Sequence, residues 1–229
     1  MTRSDEFFKS AFSVDNVIFG FNGNDIGVLL IRRSHAPFKN KWALPGDLVY
    51  PNEDLDGAAV RVLNELTGLT DVFLEQVYTF GEVGRHPKGR VITIAYYSLI
   101  NVGNFSLNPS SFALEVKWHK IQDLHDLAFD HQKILEACFE RLKQKVRSVP
   151  IGFELLPAKF TLSQIRQLYE AILEQDLDKR NFRKKILSMD LLVDTNEIQE
   201  GVAHRPAKLY SFDKARYESL KAKGFNFDV

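Results

Sequence analysis

Residues Gly46–Leu69 read GDLVYPNEDLDGAAVRVLNELTGL, and the second half of this stretch decides the fold of the N-terminal part. Ala59, Val62, Leu63 and Leu66 recur at helical spacing, which predicts a helix over 54–67 with these residues on its buried face. Glu65 is the single acid between Val62 and Leu66. Outward from this helix, residues 13–22 (SVDNVIFGFN) and 26–32 (IGVLLIR) are apolar, β-branched runs separated by GND, the pattern of a hairpin. Further strands are expected at 72–82, 90–101 and 114–119. Residues 130–146 (DHQKILEACFERLKQKV) have the spacing of an amphipathic helix. Strands, helix, strands, helix predicts a mixed α/β first domain.

The bulk numbers narrow the functional classes. With 229 residues and 45% hydrophobic composition, the chain suffices for one large domain or two smaller ones. Lys and Arg number 30 against 30 Asp and Glu, so any basic surface must be local. The single cysteine, Cys138, excludes an intramolecular disulfide and reads as a buried thiol within ILEACFERL. No apolar run approaches the roughly 18 residues of a membrane span, and MTRSDEFFKSAF lacks the apolar core of a signal peptide. A soluble cytoplasmic protein with no membrane partner is expected.

The pattern changes at RSVPIGFELLPAKF, where two prolines and a glycine interrupt the periodicity near 148–160. The domains are accordingly set at 1–150 and 151–229. FTLSQIRQLYEAIL predicts a helix with Thr161 as N-cap, Gln164 completing a capping box, and Phe160 and Ile165 placed as a hydrophobic staple. DLDKRNFRKKILSM predicts a second helix capped by Asp178. LLVDT and AKLYSF read as two strands joined by the polar tip NEIQEGVAHRP. Helix, helix and hairpin is the order of a winged helix-turn-helix.

Gly46–Leu69 resembles the Nudix box, G-x5-E-x7-R-E-U-x-E-E-x-G-U with U apolar, and the lead-in FKNKWALPG resembles the segment before it in many Nudix domains. In register, Asp47 stands for the first Gly. Glu53, Arg61, Leu63, Glu65, Gly68 and Leu69 match, while Val62 and Leu66 occupy positions of glutamates. The family's metal glutamates are neighbours at i and i+4 on one helix face, and Mg²⁺ requires oxygen ligands. The resemblance, which covers roughly 12–147, therefore implies the Nudix fold without efficient hydrolysis. No catalytic residue, metal or cofactor is assigned. The C-terminal stretches LLPAKFTLSQIRQLYEAIL, LDKRNFRKK and HRPAKLYSF resemble the Nudix-related transcriptional regulators, which join a Nudix-like effector domain to a winged helix. The expected fold class is α+β: a Nudix-like α/β/α sandwich with a mixed sheet, followed by a winged helix-turn-helix domain.

Two candidate sites follow. Lys179–Lys185 holds five basic residues and no acid. At about 100° per residue, Phe182 and Ile186 face inward while Arg180, Asn181, Lys184 and Ser188 face outward. Arg and Asn read guanine and adenine edges in the major groove, and Lys179, Arg183 and Lys185 flank them at phosphate positions. His204, Arg205 and Lys208 lie on the wing. For the effector, Glu53, Arg61, Glu65, Phe80 and Tyr96 are candidates. Arg61 can also pair with Glu53 or Glu65 in a purely structural role. RHPKGRVITIAYY adds Arg85 and His86, and basic segments of this kind lie by ADP-ribose in the Nudix proteins that handle it; a solvated loop is the competing explanation.

The expected function is a homodimeric, ligand-responsive repressor that binds a double-stranded DNA operator. The resemblance implies a pentose such as L-arabinose or ADP-ribose as effector and inclines towards the pentose branch and carbohydrate metabolism. The rival is a Nudix hydrolase of ADP-ribose or another nucleoside diphosphate derivative. A third possibility is a winged helix that binds protein.

Overall fold

The computed structural model describes residues 10–70, 72–102, 113–202 and 205–229, apart from the side chain of Leu66. It divides into two compact units. One comprises Met1–Gly20, Gly27–Ile100 and Asn104–Arg141, and the other Phe21–Ile26, Asn101–Gly103 and Leu142–Val229. No helix among the described residues is long and apolar enough to cross a membrane.

The first unit is built on a seven-stranded sheet. Its elements are β1 (Ala11–Phe21), β2 (Ile26–Arg33), β3 (Trp42–Ala43), β4 (Gly46–Leu48), β5 (Phe73–Phe80), β6 (Val91–Asn101) and β7 (Ala113–Lys120). The order is β3-β2-β1-β6-β5, with β4 added to β1 and β7 to β2. Residues 13–21 of β1 and 93–100 of β6 are buried without alternation, because these strands are covered on both faces.

Helix α1 (Leu55–Thr67) begins where Asp54 accepts a hydrogen bond from the Gly57 amide at 2.7 Å. It ends at Gly68, whose φ of 76° suits a residue without a side chain and whose amide reaches Asn64 at 2.7 Å. Ala58, Ala59, Val62 and Leu63 are its buried face. Val62 is fully enclosed in a cluster with Val14, Ile31, Ile94 and Tyr96. Helix α2 (His131–Ser148) carries a buried row of Ile134, Leu135, Cys138, Leu142 and Val146. Burial pushes the Cys138 thiol up to about 12, which leaves it unreactive at neutral pH.

In the second unit, α3 (Leu162–Leu173) has the complete capping box. The Gln164 amide donates to Thr161 Oγ1 at 3.1 Å, and the Thr161 amide donates to Gln164 Oε1 at 2.7 Å. The Asp178 carboxylate caps α4 (Lys179–Ser188), accepting from the amides of Arg180 and Asn181. The wing is β8 (Leu192–Ile198) against β9 (Lys208–Phe212), antiparallel, and Phe160 bridges to Tyr210. Phe153 stacks on Phe212 with ring centroids 4.3 Å apart, closing the small core. A short helix α5 (Lys214–Lys221), which the sequence reading did not anticipate, follows with Asp213 as its cap.

Candidate effector pocket and DNA-reading surface

The first unit contains a cavity of about 420 Å³ walled by β1, β4, the 85–91 segment and the start of α2. Its lining includes buried polar groups. Asp15 lies opposite Gly46 in the β1–β4 register and is 5% exposed. A Cβ on Gly46 would collide with Asp15 Oδ1, so only glycine fits beside this carboxylate. Thr93 Oγ1 donates to Asp15 Oδ2 at 2.7 Å. Arg85 is held by Asp130 through two bonds of 2.7 and 2.9 Å and stands 3.7 Å from Asp15. The His131 ring accepts at Nδ1 from the Leu44 amide, so its proton sits on Nε2, 3.4 Å from Asp15 Oδ1. Burial lowers the His131 pKa, keeping the ring neutral.

The rest of the lining differs in character. Arg33, Lys88 and Arg90 bring positive charge to it, against the carboxylate of Asp47. His86 stacks on Phe129 at 5.1 Å and 13°, and the Arg33 guanidinium lies 4.8 Å over the same ring. The His86 pKa is lowered by partial burial and by neighbouring Arg85, Lys88 and Arg33. A neutral aromatic wall beside several cations suits a ligand with a flat or sugar-like body and a phosphate.

The sequence-derived effector candidates separate into three groups. Arg85 and His86 line this cavity. Arg61 instead clamps the loop before α1. It bonds Glu53 at 2.7 and 2.9 Å, the Leu48 carbonyl at 2.9 Å and Glu65 at 3.2 Å, and it lies 3.9 Å from the Tyr50 ring centre. The hydrogen bond from Arg61 brings the Glu53 carboxyl down to about 2. Phe80 and Tyr96 do not line the cavity. Phe80 packs edge-on against Tyr78, while Tyr96 is buried in the α1 cluster with its hydroxyl donating to Asp56 at 2.7 Å.

The sequence reading missed Asp15, Arg33, Phe129 and His131. One signal was available for Asp15: the polar pair Asp15–Asn16 interrupts an otherwise apolar strand, and a buried carboxylate needs a reason to be there.

On α4, Phe182 and Ile186 are buried, and Lys179, Arg180, Asn181, Arg183, Lys184 and Lys185 are all exposed. Among the described residues, no ion pair engages Lys179, Arg180, Arg183 or Lys184, so a cationic face remains uncompensated. Lys185 pairs with Asp228 at 3.1 Å. On the wing, Lys208 pairs with Asp194 at 2.7 Å, Arg205 is exposed, and His204 lies outside the described residues.

Comparisons with known proteins match this geometry. Residues 9–138 match the NUDIX domain model and residues 152–212 the NrtR DNA-binding winged helix domain. The chain is 35% identical to the ADPR responsive transcriptional repressor NtrR of Acinetobacter baylyi, over 98% of this chain and 88% of the relative. It superposes on Shewanella oneidensis NrtR in complex with a 27mer DNA with a TM-score of 0.76 and 29% identity, covering 94% of this chain and 97% of that one. The Nudix domain of the same Shewanella protein, crystallised with ADP ribose, gives a TM-score of 0.53 at 29% identity, covering 62% of this chain and 99% of that one. An ADP-ribose pyrophosphatase of Methanocaldococcus jannaschii is 33% identical over 57% of this chain and 73% of its own. The expected α+β class, a Nudix-like mixed sheet with helices followed by a winged helix, is the one observed. With a Nudix domain followed by an NrtR winged helix, and a relative of the same organisation matching along nearly its whole length, the chain belongs to the NrtR family of transcriptional regulators.

Proposed function

We propose that this protein is a DNA-binding transcriptional repressor whose Nudix-like domain senses ADP-ribose. The observation that carries the reading is the pairing, in one chain, of a cation-lined cavity in the first unit with an uncompensated basic face on α4 in the second. The relatives support ADP-ribose: the Acinetobacter protein is named for its response to it, and the Shewanella Nudix domain was crystallised with it. The pentose expectation, with its carbohydrate-metabolism role, finds no support in these relatives, and the cations lining the cavity favour a phosphorylated ligand instead.

The basic face serves the DNA. Arg180, Asn181 and Lys184 face base edges, and Lys179, Arg183, Lys185 and the wing's Arg205 meet phosphates. Two copies bind together, each reading a half-site about one helical turn from the other. ADP-ribose changes DNA affinity by binding the DNA-competent and DNA-incompetent forms unequally.

Hydrolysis is not the role of this Nudix scaffold. The residues present do not fit the divalent cation of Nudix enzymes. Val62 is fully enclosed in the core, the chain carries Leu at 66, and Glu65 is engaged by Arg61. Among the described residues, no cluster of three or more His, Cys, Asp or Glu could hold a metal. The pyrophosphatase relative keeps the rival reading measurable. Calorimetric titration of the protein with ADP-ribose, L-arabinose and D-xylose tests the proposal: saturable binding of ADP-ribose alone is expected. Binding of a pentose without ADP-ribose would reverse the effector assignment.

A further inference from the structure

The cavity's lining carries both signs of charge, and their placement on different residues constrains how a ligand lies in it. Asp15 and Arg85 both line it, and Arg85 stands between Asp15 and Asp130, which is not part of the lining. That guanidinium is already committed to Asp130 through both of its bonds. The third group, His131, is buried and receives the Leu44 amide on Nδ1, so it adds no positive charge. A phosphate placed against the Asp15 carboxylate would meet repulsion. Arg33, Lys88 and Arg90 line the same cavity with positive charge. A phosphate belongs beside these cations, and hydrogen-bond donors belong beside Asp15.

We propose that Asp15 is the residue by which the pocket recognises the terminal ribose of ADP-ribose, its carboxylate accepting the sugar hydroxyls while the diphosphate lies among Arg33, Lys88 and Arg90. This assignment rests on the ADP-ribose reading above. An ionised carboxylate is acceptor-only, with about four lone-pair sites. Among the described residues, Asp15 takes within hydrogen-bond range only the Thr93 hydroxyl, on Oδ2, and Oδ1 has the longer approach of His131 Nε2. Acceptor capacity therefore remains on a carboxylate that lines the cavity. Gly46 gives Oδ1 the room that a side chain there would take. Thr93 and His131 fix the carboxylate from behind, so little ordering is required when a ligand arrives. Asp15 thus distinguishes ADP-ribose from ADP, which ends in a phosphate where the sugar would be.

The test compares two ligands on two proteins. Calorimetric titration of ADP-ribose and ADP into the full-length wild-type chain and into Asp15→Asn gives four affinities. The exchange keeps the side chain's size and removes its charge. ADP-ribose affinity is expected to fall about tenfold or more, the scale of a lost hydrogen bond to a charged group. ADP affinity is expected to hold or rise, because a negative charge has left the cavity lining. Equal losses for both ligands would make Asp15 a structural residue and overturn the assignment, as would an unchanged ADP-ribose affinity. Should Asp15→Asn fail to fold, Thr93→Val removes the hydroxyl that orients the carboxylate. It is expected to narrow the preference for ADP-ribose over ADP about threefold, and an unchanged preference would count against the proposal. A wild-type protein that binds no ADP-ribose would instead sink the effector reading itself, and this assignment with it.

Discussion

Two neighbouring substitutions on α4 should have opposite consequences, because the helix has one buried and one exposed face. Phe182 is 6% exposed, and its ring lies 5.6 Å from that of Tyr169 on α3. Truncation to alanine removes a ring from a well-filled interior, which costs about 3–5 kcal/mol. With urea m-values of about 1–3 kcal/mol/M, the unfolding midpoint of the second unit should drop by roughly 1–5 M. Arg180 is exposed and makes no ion pair among the described residues. Arg180→Ala should change stability by no more than about 0.5 kcal/mol. If Arg180 contacts a base edge, the same change should cost about 1–3 kcal/mol per half-site on cognate DNA and relax preference at one base position. Lys184→Ala, also exposed and without an ion pair among the described residues, should spare the fold in the same way. The assay is fluorescence anisotropy on a duplex that the protein has selected from a random pool, against a scrambled control, beside urea unfolding of each variant. Wild-type DNA affinity in both Arg180→Ala and Lys184→Ala would show that α4 is only a solvated basic surface. A Phe182→Ala variant as stable as the wild type would refute the packing assignment.

Other consequences can be checked separately. Glu53 titrates near 2 because Arg61 holds its charged form, so its contribution to stability is complete above about pH 4.5 and is lost as the pH falls towards 2. Unfolding measured from pH 5 to pH 3 should show a loss in the wild type that is smaller in Glu53→Gln; parallel curves would refute the clamp. Val62→Glu, which restores one box glutamate, should destabilise the first unit by more than about 3 kcal/mol, because the carboxylate enters a closed apolar cluster without a partner. Near-normal unfolding of this variant would show that the position opens to solvent. ADP-ribose turnover with Mg²⁺ or Mn²⁺ should remain far below about 1 s⁻¹, and release of AMP at or above that rate would favour the enzyme reading. The exposed Lys185–Asp228 pair is a weak surface contact that a phosphate can replace, so Lys185→Ala should weaken cognate and scrambled duplexes alike and make the salt slope shallower by about 1. An unchanged slope would remove Lys185 from the interface.

Local chemistry made much of the fold legible in the sequence. Thr161 and Gln164 announced the start of α3 and Asp178 that of α4, because each satisfies backbone groups within a few residues of itself. The inward placement of Phe182 and Ile186 followed from helical period alone. Elements lacking such signals were missed. Strands β3 and β4 have two and three residues and exist through their partners β2 and β1, and the weakly amphipathic α5 carries only one buried residue, Tyr217. The pocket was only half legible. Arg85 and His86 stood out as a basic segment, whereas Asp15 and His131 are joined across the chain by folding. Tyr96 lies outside this cavity; β6 is buried on both faces, so alternation could not reveal which side each residue takes. Arg61, Glu53 and Glu65 stood out through the family pattern, and the structure joins them to one another as a clamp.

In the function proposed for this chain, one small molecule bound in the Nudix-like unit governs DNA binding by α4 and the wing. The decisive experiment titrates ADP-ribose into a preformed complex of the protein with its selected duplex, at fixed salt and with ADP and L-arabinose as controls. A saturable change in DNA affinity is expected with ADP-ribose, at least about fivefold and within the usual coupling range, and none with L-arabinose. ADP-ribose that binds the free protein yet leaves DNA affinity unchanged would contradict the coupling of the two units.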